Sequence, residues 1–109
     1  MNRPQAAAVL AQFYETSSYR EWTLAAGAVM AYHFHAVVGV PGDPEPETLL
    51  RDLKSYAGRR LNREFGRRKW WTASGSTRKL PDEAAIAAAI RYVREQPACL
   101  ALYVGEPWA

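Results

Sequence analysis

Cysteine and histidine are scarce in this chain of 109 residues. Cys99 is the single cysteine, so no internal disulfide can form, and a reducing, cytoplasmic compartment is expected. A thiol with no second one at ligand spacing also excludes a zinc knuckle. Cys99 falls in the apolar run 98–104 and reads as a small core residue. Only two histidines occur, His33 and His35, in one cluster. That argues against phosphodiesterases built on two separated histidine motifs. No apolar run is long enough to span a bilayer, no hydrophobic signal segment opens the sequence, and no internal repeat is visible. The length suits one domain, 1–109, with one core.

Acidic residues are nearly missing from the middle of the chain. The formal charge is only +3, yet ten of the 14 Lys and Arg residues fall within 51–79, opposed there by Asp52 and Glu64 alone. An excess of eight positive charges in that stretch points to an anionic partner, a nucleic acid or a membrane surface. Against this stands the plainer reading of a solvated helix face.

The pattern along the chain is α-β-β-α-loop-α-β. Asn2 caps a helix from Arg3-Pro4, with Gln5 as its capping-box partner. Ala6, Val9, Leu10, Phe13 and Tyr14 then recur at helical spacing, and the helix should end near 16–18. Residues 21–30 read as a strand with Trp22 and Leu24 on one face, and 33–40 as a second strand closed by Pro41-Gly42. The turn or bulge between them should fall in 27–32. A helix at 47–65 carries the stripe Leu49, Leu53, Ala57, Leu61 and Phe65, and Gly66 stops it. A loop, 67–79, mixes cations, Trp70, Trp71 and small hydroxyl residues, with at least one indole expected in the core. Pro81-Asp82-Glu83 opens a third helix that Pro97 ends, and 99–104 is the last strand.

Two residues apart on a strand, His33 and His35 face the same way. Tyr92 and Gln96, four apart on a helix, also share a face. If the two faces meet, two imidazoles and an amide oxygen can surround a divalent cation beside a phenol. Such a site is too sparse for structural zinc and leaves open positions for water and phosphate. Tyrosine is a poor nucleophile at its ordinary pKa, about 10, and needs a base or a polarised phosphate. Tyr56 is the rival nucleophile, but one turn past it comes Arg60, which cannot ligate a metal.

These segments together resemble the HUH single-tyrosine transposases, the REP-associated and small insertion-sequence group. The matching residues are His33-Phe34-His35 followed by Ala36-Val37-Val38, then Leu53-Lys54-Ser55-Tyr56 through Arg59-Arg60-Leu61-Asn62. Lys69-Trp70-Trp71, Gly75-Ser76-Thr77-Arg78 and Tyr92-Val93-Arg94-Glu95-Gln96 complete the match. The resemblance covers about three quarters of the chain and implies a ferredoxin-like antiparallel sheet backed by helices, an α+β fold, often dimeric. It implies Mg²⁺ or Mn²⁺ at His33, His35 and Gln96, and attack by Tyr92 on single-stranded or hairpin DNA. That attack leaves a 5′-phosphotyrosine link, later reversed by a 3′-OH to rejoin strands. The DNA contacts would come from Lys54, Arg59, Arg60, Arg63, Arg67, Arg68, Lys69, Trp71, Ser76, Arg78 and Lys79. Two features depart from the family pattern. Only Met1 and Asn2 precede the first helix where the family begins with a strand, so a shortened copy with an exposed sheet edge is expected. Tyr32 also stands where Asn or Asp often precedes the first histidine. The competing reading is a relative that binds single-stranded nucleic acid without cutting it.

Overall fold

The computed structural model describes residues 1–71 and 75–109; Thr72, Ala73 and Ser74, in the loop expected at 67–79, lie outside the described residues. Helix α1, Arg3–Tyr19, starts on the capping box read from the sequence. The Gln5 amide donates to Asn2 Oδ1 and the Asn2 amide to Gln5 Oε1, both at 2.9 Å. Ala6, Val9 and Phe13 along it are fully buried. The helix closes with the Glu21 amide donating to Ser18 O at 3.3 Å and the Trp22 amide to Ser17 O at 2.8 Å. This pairing is a Schellman turn, and it holds Glu21 in the left-handed region at φ 61°. The turn uses residues 20–22, so strand β1 begins at Thr23 rather than at 21.

Strand β1, Thr23–Val29, is the middle of a three-stranded antiparallel sheet of order β2-β1-β3, with β2 at Phe34–Gly39 and β3 at Ala101–Val104. The β1–β2 turn lies at 30–33, where the Met30 amide donates to His33 O at 2.9 Å, so His33 sits just before β2. The irregularity in pairing falls earlier, between Leu24 and Ala26. Ala25 O there accepts from the Gly105 amide at 2.9 Å. Strand β3 starts later than expected because Ala98 turns at φ 56° and pairing is reached only as the Leu100 amide meets Val29 O.

Helix α2, Pro46–Phe65, ends at Gly66, whose φ of 93° only glycine adopts without strain. Helix α3, Glu83–Arg94, is capped by Asp82 Oδ1, which accepts from the Ala85 amide at 2.8 Å. The architecture is α+β, and helices cover both faces of the sheet. Phe13, Val9, Leu53, Ala57, Leu61 and Trp70 from the α1–α2 side pack with Leu24 and Val29. Ile90 and Val93 of α3 pack on Ala26, Ala28 and Val37 on the other face. An ideal Cβ on Gly27 would lie 2.9 Å from Leu10 Cδ2, so glycine there lets α1 approach the strand. Among the described residues α1 is the first element, and β2, paired there with β1 alone, forms one edge of the sheet. No helix among the described residues is long and apolar enough to cross a membrane.

Two stability effects follow. Removing the fully buried Phe13 ring in Phe13→Ala is expected to cost about 3–5 kcal/mol, read as a large fall in the urea midpoint. Glu21→Gly relieves the left-handed residue of the Schellman turn and is expected to raise stability by about 0.5–1 kcal/mol in the same assay. An unchanged or lowered midpoint would show that Glu21 carries no backbone strain.

Candidate functional site

Antiparallel pairing sets Ala28 of β1 opposite His35 of β2, on the face that α3 covers. Small side chains at Ala26 and Ala28 let α3 lie close to the sheet. Its inward residues are Ile90 and Val93, and Tyr92 between them turns toward the β2 side and stays 60% exposed. The result is a row of three rings. The His33 and His35 centroids are 5.6 Å apart and nearly perpendicular, and His35 and Tyr92 are 5.3 Å apart at 80°. The sequence expectation that the two faces meet is realised for these three residues. Gln96 lies two residues past α3, and its Nε2 donates to Tyr92 O at 3.0 Å. That bond ties the amide to the tyrosine and occupies its N–H, not the oxygen that would meet a cation.

Burial lowers the His35 pKa from its ordinary value, and the neighbouring charge of His33 lowers it further. His35 is therefore a neutral imidazole at neutral pH, the form that ligates metals or accepts a proton. Among the described residues no three His, Cys, Asp or Glu side chains come together as a metal group. A cation at this pair would need the Gln96 amide oxygen as third ligand, with water or phosphate completing the shell. His33, His35 and one amide oxygen in an open setting would make the donor set of an ion that keeps exchangeable positions and not of a closed structural one.

Other candidates divide by their surroundings. Tyr56 accepts from Arg20 Nη2 at 3.3 Å and lies beneath the guanidiniums of Arg20 and Arg59, 5.8 and 5.2 Å from its ring. Its hydroxyl thus helps pin α2 to the end of α1, alongside the Arg20–Asp52 pair at 3.0 Å. Trp70 is the expected core indole, 7% exposed, donating to Asn62 Oδ1 at 2.8 Å beneath the Arg68 guanidinium at 4.1 Å. Trp71 is half-buried, donates to Lys54 O at 3.2 Å and meets the Phe34 ring at 5.2 Å. Arg60 is paired with Glu64 at 2.8 Å and Glu15 at 3.7 Å, and Lys79 with Asp43 at 2.7 Å. Such surface pairs contribute little to stability. Arg59, Arg63, Arg67, Arg68, Lys69, Ser76 and Arg78 are exposed.

Sequence reasoning missed what surrounds the histidines. Tyr32, His33, Phe34 and His35 wall a hollow of about 190 Å³ with Leu50, Lys54, Trp71, Gly75 and Ser76. The hollow joins β2 to the start of α2 and to the loop. These residues lie far apart in the chain and share no local pattern; the only hint was that Trp71 and Ser76 sit in one basic loop. No family model, curated protein or solved structure matches this chain.

In the unfolded chain His35 takes up its proton at about pH 6.5, and in the folded chain only at lower pH. The unfolded state therefore binds more protons once pH falls below that value. Stability is full above this window and falls as pH drops through it. A His35→Gln variant is expected to show a shallower loss of urea midpoint between about pH 7 and pH 5 than the parent protein. Equal slopes would remove His35 as the cause.

Proposed function

We propose that this protein cleaves and rejoins single-stranded DNA through Tyr92, in the manner of the HUH single-tyrosine transposases it resembles. The observation that carries the reading is the row His33, His35, Tyr92, with ring centroids 5.6 and 5.3 Å apart. The Tyr92 oxygen attacks the phosphorus, the bond to the 3′-oxygen breaks, and the products are a 5′-phosphotyrosine and a free 3′-OH. The phenol loses one proton and the departing oxygen gains one, so no further reactant is required. A neutral imidazole has a single free lone pair, which His35 would use for the cation, so the exposed Tyr92 phenol gives its proton to water. His33, His35 and the Gln96 amide oxygen would hold Mg²⁺ or Mn²⁺. When bound, such an ion supplies polarisation of the scissile phosphate. The 60% exposure of Tyr92 suits a nucleophile that must reach a polymer and carry it covalently.

The exposed cations Arg63, Arg67, Arg68 and Lys69, at and beyond the end of α2, support a DNA partner by charge. The same surface supports the second reading, a binder of single-stranded nucleic acid that does no chemistry. Covalent trapping separates the two. Protein incubated with labelled hairpin DNA and Mn²⁺ is expected to give an adduct that survives a denaturing gel. Tyr92→Phe should reduce the adduct by at least about a hundredfold while leaving DNA affinity within about twofold. An adduct that persists in Tyr92→Phe assigns the nucleophile elsewhere, with Tyr56→Phe as the control, and DNA binding with no adduct favours the second reading.

A further inference from the structure

The hollow beside the histidines does not end there. A second space of about 600 Å³ shares Leu50, Lys54, Trp71 and Gly75 with it and runs on to Arg51 and Glu47. The shared wall makes one groove leading from the histidine pair along the start of α2. Its volume lies within the range of small-ligand sites, about 300–1,000 Å³.

We propose that this groove seats one unpaired DNA nucleotide next to the phosphate at His33 and His35, its base against Trp71 and Leu50 and its own phosphate at Lys54 and Arg51. The inference rests on the DNA-cleaving reading above and adds to it where the flanking strand runs. An indole beside an aliphatic side chain makes a stacking platform for any base. The Trp71 indole is fixed in advance by its bond to Lys54 O at 3.2 Å and by the Phe34 ring at 5.2 Å, so little ordering remains to be done on binding. Among the described residues two cations, Lys54 and Arg51, line the groove, with the Arg51 guanidinium 3.9 Å from Asp52 Oδ1. The carboxylate of the groove, Glu47, accepts from the Thr77 hydroxyl at 3.1 Å. Glycine at 75 lets the loop close on this wall: an ideal Cβ there would lie 2.9 Å from Leu50 Cδ2 and 3.6 Å from Lys54 Nζ. A larger residue at 75 would therefore displace Leu50 and break the wall on which the base is placed.

The test uses Tyr92→Phe protein, so that binding is read without chemistry. The probe is a fluorescent DNA hairpin with short thymidine flanks, compared with copies in which each flanking thymidine in turn is abasic. One abasic position is expected to weaken binding about tenfold. Adding Gly75→Val should weaken binding to the intact probe by a similar factor and abolish the abasic effect, because the base no longer has a seat. Lys54→Gln, which leaves the groove open, should weaken binding while keeping the abasic effect. Absence of any sensitive position, or an abasic effect that survives Gly75→Val in protein of unchanged circular dichroism, overturns the proposal. Trapping with Mn²⁺ on the parent protein keeps the two readings apart. An adduct without the Gly75-dependent abasic effect overturns the groove and leaves the chemistry standing. That effect without an adduct keeps the groove and overturns the chemistry.

Discussion

The thinness of strand β1 is the constraint from which the rest follows. Its sequence, Thr-Leu-Ala-Ala-Gly-Ala-Val, puts glycine toward α1 and alanines toward α3. Alanine and glycine are weak strand formers, so local preference does not make this strand. It is held by pairing on both sides and by burial, with Ala26, Ala28 and Val29 fully enclosed. The gain from small residues is close approach. Leu10 of α1 reaches the space where a side chain on Gly27 would be, and Ile90 and Val93 settle on Ala26 and Ala28. Were residue 28 as large as leucine, α3 would have to ride further from the sheet, and Tyr92 would be lifted from the ring of His35, the partner of Ala28 across the pair.

The same geometry sets the character of the site. His33 stands at the end of the β1–β2 turn and is exposed; His35, one pleat further in, is half-buried. A graded pair results, with one ring in water and one ring partly withdrawn from it, and the withdrawn ring is the one that touches Tyr92. Desolvation favours the neutral form of that ring, while Tyr92 beside it stays exposed. The cations lie mainly on α2 and the loop that follows it, elements that approach β2 from its other side. Charge and chemistry therefore come from different elements that converge at the start of β2.

Much of this was legible from sequence because it depends on local period. Two-residue spacing placed His33 and His35 together, Asn2 marked a helix start by the backbone group it satisfies, Pro81-Asp82-Glu83 marked another, and Gly66 marked a stop, whereas Gln96 falls past the end of α3 and meets only the Tyr92 carbonyl. What was not legible depends on contacts between distant residues. Nothing local to Trp70 and Trp71 tells that the first finds Asn62 and the core while the second finds Lys54 O and Phe34. Nothing near Arg60 or Lys79 announces Glu15 or Asp43. The left-handed Glu21 was equally hidden, since glycine is the usual signal for that turn and the chain does not use it.

The position of the histidines at the start of β2, at an edge of the sheet, has a physical logic of its own. An edge strand offers unpaired backbone groups that invite another strand, and proteins commonly guard such edges. Here Trp71, Gly75 and Ser76 are brought against its first residues, where the hollow at His33 and His35 opens. A central strand would bury both imidazoles under neighbours on either side, and a polymer could not lie across them. At a guarded edge, the rings are fixed by pairing to β1 on one side and reachable from the other. The strand-cleaving function proposed above needs reacting groups held still while a long chain is admitted, and such an edge serves that better than the centre of a sheet.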